Sequence, residues 1–155
     1  MKRHNFKDSL KFGEAAENLV LKTYKELKKD SQEGHDMLRG DATIEVKTDR
    51  YTFDETPNFF IELYSDDKSM KLGGPWRALQ HNTNVFLYHF IFERRVFWFD
   101  DIASLVKAVE AYVSKSRLQL TRVRNENHIT LGYKIPRSAI THLCKEFNLG
   151  DPLPE

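Results

Sequence analysis

The stretch His35-Asp36-Met37-Leu38-Arg39-Gly40-Asp41-Ala42-Thr43-Ile44-Glu45-Val46-Lys47 decides how this chain is read. Gly40-Asp41 separates two short alternating runs, and glycine at the first central position is what a type II′ hairpin turn requires. With these two as the turn, Arg39 faces Ala42, Leu38 faces Thr43, Met37 faces Ile44 and Asp36 faces Glu45. Side chains alternate along a strand, so Met37, Ile44 and Val46 make an apolar face bound for a core. Asp36, Glu45 and Lys47 share the other face. Two carboxylates facing each other across a ladder stand ~5 Å apart at Cβ and repel. A divalent cation between them offsets the repulsion, and a few hard oxygen ligands suit Mg2+, which keeps several waters. Lys47 projects beside such an ion, where an ammonium orients water or offsets charge on a phosphate. A Glu-x-Lys tripeptide alone is ordinary solvated strand surface; the facing acid gives this one its meaning.

Upstream, residues 11–29 carry Ala16, Leu19, Val20, Tyr24 and Leu27 at helical spacing, ended by the polar stretch 30–34. Downstream, a polar loop leads to the β-prone run 58–64, and Gly73-Gly74-Pro75 opens a short helix over 76–81. Two aromatic-rich strands follow, 85–92 and 96–99, then a helix over 102–115 capped by Asp100 or Asp101. A second hairpin, 118–124 with 128–135, turns at Asn125-Glu126-Asn127, and Pro136 starts a last helix over 137–147. The class is mixed α/β.

At 155 residues, 40% hydrophobic and 30% charged, the chain has the size and balance of one globular domain, taken as 1–150 with a loose tail over 151–155. No run approaches the ~20 apolar residues that cross a bilayer, so no membrane partner is expected. The start lacks the apolar run of a secretory signal. Cys144 is the only cysteine, which excludes a disulfide framework and a cysteine zinc site and implies a reduced, cytoplasmic setting. The net charge of +1 does not advertise a nucleic-acid binder. Locally, however, Lys115, Arg117, Arg122, Arg124, Lys134 and Arg137 are offset only by Glu126.

The hairpin and the helix before it resemble the PD-(D/E)XK nuclease superfamily, in which an acid on one strand is followed by (D/E)-x-K on the next. Those positions read His35-Asp36 and Glu45-Val46-Lys47, after a helix containing Gly13-Glu14-Ala15-Ala16-Glu17. His35 stands where a proline often precedes the first acid. The segment 11–47 is also similar to the opening of archaeal Holliday-junction resolvases, whose glycine-to-glutamate spacing points from Gly13 to Glu17, with Glu14 the alternative. The resemblance implies a restriction-endonuclease-like αβββαβ core with a mixed central sheet, extended by the C-terminal hairpin and helix. It implies a Mg2+-dependent deoxyribonuclease, with Mn2+ as substitute. Asp36, Glu45 and the Val46 carbonyl would hold the metal, Lys47 would position the attacking water, and Glu17 would hold a water or a second metal. Within the superfamily the expectation is a structure-selective junction resolvase, a homodimer acting on DNA, of a size that suits a phage-encoded enzyme. A restriction or repair endonuclease is the nearest alternative; a non-catalytic DNA-binding module keeping the fold is the rival of another class.

Beyond the hairpin, Arg122, Arg124, Lys134 and Arg137 are candidate phosphate contacts, and Gln80 is a candidate polar neighbour of the metal site. Glu62 joins either the acidic cluster or a strand edge. Trp76 stacks on a base or packs into the core, His89 in its apolar strand reads as a core histidine, and Cys144 as packing. Asp41 is a turn residue.

Overall fold

The computed structural model describes residues 6–30, 35–124 and 127–155. In chain order the elements are α1 (Phe6–Thr23), β1 (Lys28–Lys29), β2 (Met37–Arg39), β3 (Ala42–Asp49), β4 (Asn58–Asp66), β5 (Lys71–Leu72) and α2 (Gly74–Gln80). They continue with β6 (Val85–Phe90), β7 (Arg95–Phe99), α3 (Ile102–Ser116), β8 (Thr121–Arg124), β9 (Ile129–Pro136), α4 (Arg137–Ile140) and β10 (Lys145–Asn148). A mixed sheet runs β1-β2-β3-β6-β7-β10, with β3 and β6 parallel; an antiparallel sheet runs β5-β4-β9-β8. No described helix is long and apolar enough to cross a membrane.

The turn arithmetic holds. Arg39, Leu38 and Met37 pair with Ala42, Thr43 and Ile44, and Gly40 sits at φ +58° as the first central residue of the turn. Every residue of β6 is buried, because both faces of its sheet are covered. On one face Met37, Ile44, Val46, Val85 and Leu87 pack with Val20 of α1 and with Tyr24 just after it. On the other, Phe86, Tyr88, Phe90, Phe97 and Phe99 meet Phe59 and Ile61 of β4 and Leu105 and Val109 of α3. Phe59 stands edge-on to Tyr88 and Phe97, with ring centroids 4.8 and 4.9 Å away. Of the two candidate caps for α3, Asp101 is the one, its carboxylate accepting the Ser104 N–H.

Several boundaries differ from the sequence reading, each where a sheet edge competes with a helix. The first helix begins earlier and stops at Thr23; Lys28 and Lys29 instead pair with Leu38 and Met37 as an edge strand. The last helix ends at Ile140, and Lys145–Asn148 pair with β7 rather than continuing it. Cys144 therefore lies outside a helix, its thiol on the Thr141 carbonyl. The run 58–64, third strand of the expected core, leaves the central sheet and builds the second one with β9. The tail expected to be loose is docked: Leu153 is buried, Tyr24 donates to the Asp151 carbonyl, and Arg39 to that of Pro154. The helix-terminating residues 31–34 and Asn125-Glu126 of the second turn lie outside the described residues.

Arg137 is the largest departure. Expected as a phosphate contact, it is buried, its guanidinium forked onto both Glu93 oxygens at 2.8 Å and lying 3.6 Å from the Phe90 ring centroid. Deleting one member of a buried pair strands the other charge, which costs roughly 3–5 kcal/mol. Glu93→Ala should lose that much in urea denaturation, whereas Arg122→Ala, which breaks only an exposed ion pair with Asp67 at 3.4 Å, should move stability by less than about 1 kcal/mol.

Candidate active site

The site is assembled where β2 stops short of β3. Met37 pairs with Ile44, and the Asp36 N–H also donates to the Ile44 carbonyl, at 2.9 Å. Two successive residues thus share one partner, the pattern of a β-bulge, which re-aims a side chain at the end of a ladder. Asp36 does not lie flat across from Glu45 as the turn arithmetic places it. Its Oδ2 instead accepts the Val46 N–H at 2.7 Å. A strand residue's N–H and C=O leave on the same edge, so the Val46 carbonyl points past the end of β2, beside the Asp36 carboxylate. Glu45 and Lys47 sit on the face turned toward the second sheet, with Lys47 Nζ 5.9 Å from the Phe60 ring centroid.

Electrostatics tie further residues to this point. Burial, then the charge of Asp36, pushes the Glu45 carboxyl up to about 8, with Glu17 and Glu62 adding to the effect and Arg77 opposing it. Burial, then Asp36, raises Glu17 to about 7, against Lys29. Asp36 is itself raised by burial, while the Val46 N–H, Arg77 and His35 favour its charged form. Glu17, not the exposed Glu14, is the helical acid of the cluster. His35 turns away as the alternation requires, its Nδ1 on the Thr83 hydroxyl at 3.1 Å.

The crossover between β4 and β6 adds two residues. Glu62, left open by the sequence, belongs to the cluster. Its carboxyl lies against Gly73 and its carbonyl against Gly74, so closely that a methyl on either glycine would overlap it; Gly74 is also at φ +50°. These glycines seat the start of α2 on β4 and bring Arg77 toward Asp36 and Glu45. Arg77 is the residue the sequence reading missed. Gln80, one turn further on, is exposed, and among the described residues no contact ties it to the cluster. The Gly73-Gly74 pair, with Arg77 on the first turn after it, was the available signal.

The donor set of Asp36, Glu45 and the Val46 carbonyl is all hard oxygen, the chemistry Mg2+ takes from one or two carboxylates while keeping waters. Among the described residues no three His, Cys, Asp or Glu side chains form a group that could hold a metal ion. A cation here would therefore rest on the two acids, the carbonyl and water.

The candidate DNA contacts do not form one surface. Arg122 pairs with Leu131, and alternation along β9 puts them on the face of Tyr133 and Ile135, with Arg124 beside them. Lys134 lies on the opposite face, across from Phe60 and thus on the side of Glu62. Arg137 is in the core. His89 is buried as expected, but neither ring nitrogen has a partner among the described residues, and burial pushes it down to about 4, a neutral imidazole. Trp76 packs at the core margin with its Nε1–H on Glu110.

Set against models of known protein families, curated proteins and solved structures, the chain matches none of them.

A carboxyl raised in the folded state holds its proton where the unfolded chain has lost it. Its stabilising effect is complete below the unfolded value near 4.5 and is lost as pH rises through the folded one. Thermal unfolding in EDTA should therefore show stability falling between about pH 5 and 8, less steeply in Glu45→Gln. Mg2+ should raise the midpoint more at pH 8 than at pH 5.5, since a cation and these protons compete for the same oxygens.

Proposed function

We propose that this chain is a Mg2+-dependent deoxyribonuclease of the PD-(D/E)XK kind, built on a restriction-endonuclease-like core and hydrolysing DNA phosphodiester bonds. The observation that carries this reading is the meeting of Asp36, Glu45 and the edge-facing Val46 carbonyl at the point on β3 where Lys47 follows on the face of Glu45. Mg2+, held by these three groups and replaceable by Mn2+, would supply Lewis acidity at a phosphoryl oxygen. Lys47 donates a hydrogen bond to the attacking water and offsets the negative charge that grows on the phosphate. Glu17, with a proton affinity near neutrality, holds a second water on the α1 side. The subtype we propose is a structure-selective junction resolvase acting as a homodimer in the cytoplasm, because two symmetric cuts need two sites.

A non-catalytic DNA-binding module that keeps the fold is the second reading. Cleavage of linear duplex, single strand and four-way junction, in Mg2+ and in Mn2+, separates the two. The nuclease reading expects cleavage that Lys47→Ala lowers by about 10²–10³-fold, the range for losing one preorganised charge stabiliser. It also expects weaker Mg2+ binding by Asp36→Asn in calorimetry. Symmetric junction cuts establish the resolvase, and cleavage of plain duplex alone removes that subtype. Equal inertness of wild type and Lys47→Ala on every substrate overturns the enzyme.

A further inference from the structure

A cleft of about 290 Å3 opens between α2, α3 and the antiparallel sheet, apart from the acids of β3. It is lined by Leu63 of β4, Trp76 of α2, Tyr133 of β9, and Glu110, Val113 and Ser114 of α3. The three α3 residues stand at i, i+3 and i+4 and so share one helix face. The Trp76 Nε1–H donates to Glu110 Oε1 at 3.1 Å, which holds the carboxylate at the wall of the cleft. Among the described residues no cation pairs with this exposed acid. The Trp76 and Tyr133 rings stand 6.4 Å apart at their centroids and 53° out of parallel, an open wedge. A base sandwiched between two rings needs them near parallel, so the wedge suits a compact ligand rather than a flat one. Two ring systems, an unpaired carboxylate held in place, and the apolar Leu63 and Val113 together call for a ligand that is cationic and apolar at once.

We infer that this cleft binds a quaternary ammonium group carried by a small solute of choline size. The charge of the ligand is set by Glu110 and by the negative faces of the two rings. Its alkylation follows from what the cleft lacks. A primary ammonium brings three N–H donors and a guanidinium five, all of which need acceptors once water is displaced. The side chains of the lining offer only Glu110 and two hydroxyls, Ser114 and Tyr133, on different elements. A trimethylammonium head has no donor to satisfy, and its methyls take up the contact that Leu63 and Val113 offer. Small-molecule sites span roughly 300–1,000 Å3, and this cleft lies at their low end, which is why the ligand is a small solute. The site is separate from the proposed phosphodiester chemistry and does not depend on it.

The test is 15N–1H NMR of the two tryptophan indole N–H signals in the full-length protein. Trp76→Phe assigns the Trp76 signal, and the buried Trp98 serves as internal reference. Choline chloride, methylammonium chloride and NaCl are titrated separately at equal ionic strength. The proposal expects choline to move the Trp76 signal saturably in the millimolar range, with Trp98 unmoved and NaCl without effect. Glu110→Gln keeps an acceptor for the indole N–H but removes the charge, and should weaken choline binding about fivefold; Tyr133→Leu, which removes a ring face, should do the same. Glu110 is exposed, so its variant decides even where Tyr133→Leu fails to fold. A Trp76 signal that moves no further with choline than with NaCl overturns the site, as does unchanged affinity in Glu110→Gln. Methylammonium binding as tightly as choline overturns the quaternary assignment. A peptide bearing Nε-trimethyllysine that binds tighter than choline overturns the small solute in favour of a modified protein tail.

Discussion

The parallel pairing of β3 with β6 is the constraint on which the rest of the structure depends. A hairpin cannot join parallel neighbours, so the chain between Asp49 and Val85 must cross over. Here the crossover is not a lone helix. It carries β4 out to found a second sheet, returns through β5, and enters α2 at Gly73-Gly74. The excursion covers the aromatic face of the central sheet with Phe59 and Ile61, which is why β6 is buried along its whole length. It also brings Glu62 and Arg77 back to the acids of β3. Core and candidate site are products of one connection.

Placing Asp36, Glu45, Glu17 and Glu62 in one partly desolvated region is costly by any measure of like-charge repulsion. The fold meets part of that cost with protons, since Glu17 and Glu45 are held near or above neutrality, and part with fixed positive groups. The Val46 N–H and Arg77 both favour the charged form of Asp36. Tyr88 strengthens the frame from beneath: its buried hydroxyl donates to Asp49 at 2.7 Å and accepts the Phe60 N–H at 3.1 Å, linking β3, β6 and β4. Phe60 is the ring beside which the Lys47 ammonium lies. Groups with raised proton affinity on a rigid scaffold are a recurrent mark of functional sites.

Legibility followed the range of the forces. The hairpin at Gly40-Asp41, the Asp101 cap, α3 and the aromatic strands β6 and β7 all rest on contacts between near neighbours in the chain, and these were readable. Asp36 was legible as a candidate but misplaced in detail: ladder arithmetic has no term for a bulge, and the bulge hands its carboxylate to Val46. Lys28-Lys29 and Lys145–Asn148 carry helix-tolerant residues, yet each was drawn into a strand by an unpaired sheet edge. Arg122, Arg124, Lys134 and Arg137 look like one basic segment in sequence. Alternation on β8 and β9 divides the first three between two faces, and burial against Phe90 removes the fourth.

The sequence by itself determined the α/β class, the apolar and acidic faces of β3, and the Glu45-x-Lys47 pattern. Periodicity, turn chemistry and motif spacing are properties of short stretches. Only the tertiary structure decided that β4 leaves the central sheet, that Glu62 and Arg77 join the acids, that the C-terminal tail docks through Leu153, and that Arg137 is a core residue. Those outcomes depend on which distant segments share a face and how much water they exclude. Burial and charge coupling are properties of the assembled chain.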